Sequence, residues 1–492
     1  MSTAVIAAVG FVLPPFIFRN LGGETYGVLS LLILVGSFAQ YLDFGIATSL
    51  TKFVAAMQTL GEVGRASRIV LAVIMFYCIA CGVILLVWFA LGDWFVSFIF
   101  IGATVPGLGA LGALYLLGTS LDLQGSVLGG VLQGFQRLDQ VLAANITIQI
   151  AKAIITVIVL LLGGGLWGLA WIQVGAAVLR CSLLMGLAVR AGLLLRSWAG
   201  WRAINRQDLK ELAKLSLGIQ GTYVAGLASS QLVRILVVRV AGLESAGIYD
   251  LANRVALQVA TLPDSLSVAI SPAVSKMDAS NAHAAMRQLI GKSMRYLLII
   301  GVPACLFVGW FAPEIVRAWL GTENPTIAYA VRVLLVGGFV NVLSGPAYHS
   351  LIGLGRPGLG LAKALVWLAM NSTLTVLLGA RYGFKGVLAG STLALGCAAV
   401  FLLVESERRY SLGIREGFFR DLSGSVTIAF LGVVVTSWSH SLAVTRGLSI
   451  NIVVWGGIFC VYMALCIASH WLTGTILPEE KVLLRAVFWK RA

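Results

Sequence analysis

Arg19-Asn20-Leu21-Gly22-Gly23-Glu24-Thr25-Tyr26-Gly27 returns 220 residues later as Arg239-Val240-Ala241-Gly242-Leu243-Glu244-Ser245-Ala246-Gly247. Arg19, Gly22, Glu24 and Gly27 stand in register with Arg239, Gly242, Glu244 and Gly247. Two further echoes keep nearly the same offset. Gly134-Phe135-Gln136-Arg137 matches Gly353-Leu354-Gly355-Arg356 at 219, and Gly165-Leu166-Trp167-Gly168 matches Gly383-Phe384-Lys385-Gly386 at 218. A repeat this long inside an apolar chain marks a transporter built from two similar halves.

The chain around the repeat is apolar throughout. Of its 492 residues 59% are hydrophobic and 11% charged, with mean hydropathy +0.95. A soluble fold of this length could not solvate such a surface, so the composition is that of an integral membrane protein with no room for a soluble catalytic domain. The N-terminal apolar run, interrupted by Pro14-Pro15, lacks the basic leader and small-residue cleavage site of a signal peptide. Cys78 and Cys81 have redox-motif spacing but sit within an apolar span, where free Cys packs as a small hydrophobe. No metal site or cofactor motif is read from the sequence.

Spans of about 20 apolar residues are expected at 2–18, 27–49, 69–91, 107–131, 141–162, 166–189, 215–238, 248–271, 296–319, 327–353, 359–380, 386–404, 424–442 and 449–472. This predicts an all-α polytopic fold of about fourteen helices. Residues 1–189 would form one six-helix lobe and 215–405 a parallel second lobe, with a basic interfacial linker at 190–214 between them. Residues 406–492 would add two C-terminal spans and a cytoplasmic tail. Six spans per half is an even number, so the halves run in the same direction and the symmetry axis lies along the membrane normal. The linker, with Arg196, Trp198, Trp201 and Arg202, suits either a tether in the headgroup region or a solvated basic loop. By the repeat register the start of span 7 would fall before Met1, so the natural product is expected to carry roughly ten to twenty more N-terminal residues.

Every second connection is basic. One side holds 24 Lys and Arg, from Lys52, Arg65 and Arg68 to Lys490 and Arg491; the other holds Arg19, Arg317, Arg381, Lys385 and Arg446, with Arg239 close by. The bias predicts that both termini are cytoplasmic. It also accounts for most of the net charge of +15 as charge facing anionic headgroups, with no nucleic-acid motif behind it.

Polar groups at membrane depth are costly and face a cavity or a partner. Asp122 lies in a stripe on span 4, Lys152 in one on span 5, and Arg180 on span 6. They could form an internal seam, with Asp122 paired to Lys152, or line a wet cavity. Gln220, Tyr223 and Arg234 share span 7, and Asp250, Arg254 and Gln258 share span 8 at helical steps of four. Two arginines on consecutive spans call for an anion that Asp250 supplies only in part, and the guanidinium fork suits phosphate. Arg19/Glu24 and Arg239/Glu244, five apart around glycines, suit closure of a tight turn at the outer helix ends. On span 2, Gln40 is followed by Asp43, which has no echo because its counterpart is Pro263; proton or sodium coupling and a contact to a sugar hydroxyl are both open for it.

With Leu21-Gly22-Gly23-Glu24-Thr25-Tyr26-Gly27, Asp43-Phe44-Gly45, Leu132-Gln133-Gly134-Phe135-Gln136-Arg137, Ala241 to Tyr249 and Gly353-Leu354-Gly355-Arg356-Pro357, nearly the whole chain resembles the polysaccharide exporters and O-antigen flippases of the multidrug/oligosaccharidyl-lipid/polysaccharide (MOP) superfamily. The resemblance implies a two-lobed bundle that alternates between inward-open and outward-open forms in the bacterial inner membrane. It also implies an undecaprenyl-pyrophosphate-linked oligosaccharide as substrate, no cofactor, and a cationic cavity. Arg234 and Arg254, with Lys52 at the cytoplasmic mouth, would then hold the pyrophosphate. Gln40, Gln220, Tyr223 and Gln258 would meet sugar hydroxyls. Expected partners are membrane lipids, a polysaccharide polymerase and glycosyltransferases, around a monomer.

Two rivals remain. A multidrug exporter of the same superfamily would favour acidic groups, whereas this interior leans basic. A membrane polymerase or acyltransferase needs general acid–base groups at the surface, but His283, His349, His440 and His470 are scattered. A nucleotide-driven pump lacks its Gly-rich phosphate loop.

Overall fold

The computed structural model describes residues 2–43, 46–100, 102–103, 105–190, 206–268, 270–414, 418–445 and 452–472. These residues are helical almost throughout. Two compact units divide between Asp250 and Leu251. The first therefore holds both copies of the opening motif. The greater part of the 190–214 linker and the tail beyond 472 lie outside the described residues.

The first unit contains α1 (Ser2–Leu21), α2 (Gly23–Ser37), a 3-10 turn (Phe38–Asp43), α3 (Ile46–Thr59), α4 (Val63–Ile99), α5 (Leu108–Gly134), α6 (Leu138–Leu161) and α7 (Gly165–Arg190). It also takes the larger part of α8 (Arg206–Val268), which is kinked at Gly242. α5 lies at its centre: Gly112 faces the ring of Trp88 on α4, while Gly118 and Gly125 face Gln173 and Arg180 on α7. Met75, Phe76, Ile79, Val83, Leu86 and Val87 of α4 are exposed. An outward face this apolar is solvated by lipid rather than water.

The second unit continues with α9 (Ile270–Ala279), α10 (His283–Trp310), α11 (Ala312–Leu320), α12 (Pro325–Leu343), α13 (Gly345–Gly353) and α14 (Gly358–Met370). A short π-helical turn (Asn371–Thr375) leads into α15 (Val376–Tyr410), followed by α16 (Phe418–Thr445) and α17 (Ile452–Leu472). Arg295 Nε on α10 donates to Asp421 Oδ2 on α16 at 2.9 Å, tying the appended helices to the rest of the unit.

The fold is the expected all-α polytopic one, with differences in how the spans are cut. Nine helices among the described residues are long and apolar enough to cross a membrane. Two of these runs, Val224–Thr261 and Gly358–Tyr410, each carry two expected spans joined at a glycine corner. α5 is not among the nine, its apolar run being interrupted by Asp122 and Gln124. Span 2 does not continue as one helix to residue 49: α2 stops at Ser37 and the chain tightens into the 3-10 turn that ends at Asp43. Span 9 starts earlier than expected, because Arg287, Lys292 and Arg295 lie inside α10 rather than in a loop.

The repeat is written in the backbone as well as in the sequence. Left-handed φ values fall at Gly22 and Gly242, Gly61 and Asn281, Gly102 and Gly321, Gln136 and Gly355, and Gly165 and Gly383. The offset drifts smoothly from 220 to 218 across these five corners. Glycine, or a residue such as Asn that tolerates the left-handed region, ends or turns a helix cheaply in this way, and Gln136 is the one of these ten positions without that advantage.

The two motif copies pack on each other. A Cβ at Gly27 would overlap the backbone carbonyl of Leu243. One at Gly247 would stand 3.2 Å from the carbonyl oxygen of Gly23 and 3.1 Å from the Tyr26 ring. Leu243 is the echo of Gly23, so the same contact is made twice, once in each sense. Gly27→Ala should therefore lower stability by about 1–3 kcal/mol, as over-packing does, while Gly10→Ala, with open space around it, should not. Thermal midpoints of the two purified variants in detergent check this.

Candidate functional site

At the motif corner the chain is closed by its own backbone. Gly22 N donates to Phe18 O at 2.9 Å, and Tyr26 N donates to Gly22 O at 3.0 Å. Arg239 lies over the Phe98 ring, 4.0 Å from its centroid. The Glu244 side chain crosses Gly23, with Cγ 3.0 Å from where a Cβ would stand.

One turn inside this corner sits a buried ionic group. Arg234 Nη2 meets Asp250 Oδ1 at 3.1 Å, with side-chain exposures of 17% and 3%. Tyr26 Oη donates to the other carboxylate oxygen at 3.0 Å. Arg234 Nη1 also donates to Gln231 Oε1 at 3.3 Å. Asp250 is thus held from both sides, by the second helix of one copy and by the helix that leads into the other. Tyr26 packs edge-on to Phe18, with ring centroids 5.5 Å apart, which fixes where its hydroxyl points.

A second polar cluster lies among α5, α6 and α7. Lys152 Nζ donates to Gln173 Oε1. Gln173 Nε2 passes the link on to Asp122 Oδ2 at 3.2 Å. From the other side Arg180 Nη1 reaches Asp122 Oδ1 at 3.6 Å, while its Nε donates to Asn145 Oδ1 at 3.2 Å. Asp122 and Lys152 therefore share a network without touching. Gln173 stands between them and Arg180 is the direct ion partner. At the echo of Asp122 stands Asn341, which accepts from Lys363 Nζ at 2.8 Å, so the second half keeps a polar seam without the acid.

Arg254 and Gln258 follow Asp250 on α8 at steps of four and are half-buried. Gln40 is exposed in the 3-10 turn. The side chains of Asp43, Lys52, Gln220 and Tyr223 lie outside the described residues. Among the described residues no cluster of His, Cys, Asp and Glu could hold a metal ion. The partner missing from the sequence reading is Tyr26. Its signal was the repeat itself, because Tyr26 faces Ala246 and Asp250 faces Ser30 in the echo, so the hydrogen bond joins two positions at which the copies differ.

A helical bundle with apolar outer faces, internal polar clusters and a repeated half is that of a multi-pass membrane protein. The chain matches the family described as polysaccharide biosynthesis protein over residues 17–327, and it belongs to that family. Its fold is shared with solved transporters and flippases. One is a multidrug resistance MATE family transporter of the MOP superfamily in its inward-facing conformation, at TM-score 0.72 and 15% identity over 85% of this chain and 96% of that one. Another is the lipid II flippase MurJ in an inward closed conformation, at TM-score 0.69 and 14% identity over 98% of both chains. The Vibrio cholerae MATE transporter VcmN in the bent form aligns at TM-score 0.52 and 14% identity, over 83% and 97%. No match to a curated protein is found by sequence.

Removing one member of a buried ion pair leaves the other uncompensated, at a cost of about 3–5 kcal/mol, whereas replacing both by apolar groups can be neutral. Arg234→Ala should therefore destabilise strongly, and Arg234→Met combined with Asp250→Leu should recover most of the loss. Thermal unfolding of the single and double variants checks the sign of the coupling.

Proposed function

We propose that the chain is a flippase that carries an undecaprenyl-pyrophosphate-linked oligosaccharide across the bacterial inner membrane, with both termini cytoplasmic, for cell-surface polysaccharide synthesis. Family membership supports a role in polysaccharide biosynthesis. The fold shared with a lipid II flippase supports a lipid-linked saccharide as cargo. The observation that carries the site is the half-buried guanidinium of Arg234, paired to the buried Asp250 beside the motif corner. An arginine at membrane depth costs about 2.5–3.5 kcal/mol on insertion scales, and its planar fork is the protein group best matched to phosphate oxygens.

In this reading Arg234 and Arg254 hold the pyrophosphate and Lys52 meets it at the cytoplasmic mouth. Gln40, Gln220, Tyr223 and Gln258 contact sugar hydroxyls. Asp250 keeps Arg234 placed in the absence of cargo. Transport proceeds by alternating access, and the glycine contacts between the motif copies part as the outer side opens. The Tyr26–Asp250 hydrogen bond is broken in the same step. Asp43 is the candidate for ion coupling. The seam of Asp122, Lys152 and Arg180 holds its own helices in register. The lobes are those of the repeat, 1–189 and 215–405, and the protein works as a monomer alongside a polymerase and glycosyltransferases.

The test separates charge from folding. Asp250→Asn alone strands the guanidinium without its counter-charge, so protein level and glycan export should fall together. Arg234→Gln in the Asp250→Asn background should abolish export, with lipid-linked oligosaccharide accumulating on the cytoplasmic leaflet at normal protein levels. Unchanged surface polymer in the double variant sinks the assignment. If deletion of the gene instead raised sensitivity to cationic drugs and left the polymer intact, the multidrug reading would replace this one.

A further inference from the structure

The second unit carries a groove that the flippase reading does not use. α10, α12 and α16 enclose a cavity of about 740 Å³ whose walls include Val302 and Leu306 of α10, Leu335 and Phe339 of α12, and Leu422 and Val426 of α16. That volume lies within the roughly 300–1,000 Å³ of sites that take small-molecule ligands. Its mouth is open to the surroundings of the helices: Val336 is 60% exposed and Trp310 is 52% exposed.

Among the described residues Arg332 is the single charged one lining the cavity. It is exposed, and it stands inside α12 rather than in a loop. Its Nε donates to the Gly309 carbonyl at 2.8 Å and its Nη2 approaches the Trp310 carbonyl at 3.4 Å. These contacts cap the C-terminal end of α10, where unsatisfied carbonyls and the helix dipole favour a cation. A guanidinium has five N–H groups, so the cap leaves donors over. Among the described residues no carboxylate pairs with Arg332.

The arrangement has a polarity along the helix. Trp310 ends α10, and Val302 lies eight residues below it, about 12 Å at the helical rise. An aliphatic trough of that length therefore runs inward from a cationic, tryptophan-flanked rim. Tryptophan and arginine at the end of a span belong at headgroup depth. With the orientation set by the basic connections, this rim lies in the outer leaflet.

We propose that the groove binds one acyl chain of an anionic glycerophospholipid of the outer leaflet, with the lipid phosphate on Arg332. The trough supplies apolar burial for the chain. Arg332 supplies the charge complement that a zwitterionic headgroup matches less well. A peptide helix is a poorer occupant, since among the described residues nothing else lining the groove could pair its charged side chains. The site is independent of the cargo site, because its residues are on other helices and its ligand is bulk lipid.

Native mass spectrometry of the full chain, reconstituted in equimolar phosphatidylglycerol and phosphatidylcholine and then delipidated stepwise, tests the proposal. The native chain should retain one phosphatidylglycerol after other lipids have left. Arg332→Gln should lower that occupancy at least fivefold, and Arg332→Lys should keep part of it. Val336→Trp, at an exposed position where folding is not at stake, should block the trough and lower occupancy to the same extent. Equal retention of the two lipids by the native chain, or unchanged phosphatidylglycerol in Arg332→Gln or Val336→Trp, overturns the proposal. Glycan export in the same variants should stay near native, so failure here and failure of the flippase reading are distinguishable.

Discussion

Backbone meets backbone where the two copies of the motif touch, and much else in the first unit follows from that contact. Gly27 lies against the carbonyl of Leu243, and Gly247 against that of Gly23. Not even a methyl group fits at Gly27, and at Gly247 one would press on the Tyr26 ring and the Gly23 carbonyl. Helices that approach this closely in a bilayer gain van der Waals contact without help from a hydrophobic effect, since lipid tails are as apolar as the helices. The glycines at the corner itself, Gly22 and Gly242, have a separate duty. Their φ values of 79° and 82° reverse the chain direction within a residue or two. One pair of glycines makes the turn and the other lets the turns nest.

That nesting explains why a symmetric scaffold holds an asymmetric site. Once the copies lie together, each residue near the contact has a counterpart related by the repeat. Many counterparts are alike, and five helix corners keep a positive φ in both copies. The exceptions concentrate polar chemistry. Tyr26 has Ala246 as its echo, Asp250 has Ser30, and Asp122 has Asn341. Ser30 satisfies itself by donating to Gly27 O at 2.7 Å, so the copy without the acid needs no partner across the contact. Architecture is duplicated here and charge is not.

How much of this could be read from the sequence depends on the range of the interaction. Period and composition are local, so the spans, the repeat and the polar stripes were legible. The register carried further than expected, because it also marks where Tyr26 and Asp250 break it. Their hydrogen bond, between residues 224 apart, is invisible to helical spacing. Spacing leaves open whether Asp122 joins a seam or lines a cavity; the link to Lys152 runs through Gln173, which with Arg180 comes from α7, and the gaps that admit them are Gly118 and Gly125 of α5. The end of α2 at Ser37 is marked only by the polar Gln40 and Asp43 that follow it, which fit a cavity-facing stripe on a continuous span equally well. Arg332 was masked by its surroundings, as its cost is met by backbone carbonyls of another helix that no side-chain pattern announces.

The Arg234–Asp250 pair would be hard to justify as a stabilising device. Two charges lose several kcal/mol of solvation each on burial, and apolar residues of similar size commonly serve stability as well or better. A chain that is 59% hydrophobic has many such residues to place there. The pair is also more elaborate than neutralisation requires, because Tyr26 and Gln231 add hydrogen bonds that fix both partners in one orientation. Fixing a guanidinium costs conformational freedom and pre-organises its fork for whatever anion it meets. Placed beside the contact between the motif copies, such a group would be ready to exchange its carboxylate for the phosphate oxygens of a cargo. That exchange would take the guanidinium from Asp250, and the Tyr26 hydrogen bond linking the copies would then lack the charge that anchors it. In that arrangement the apparent excess of polar groups has a use, because weakening the contact from inside requires a carboxylate that an incoming anion can displace.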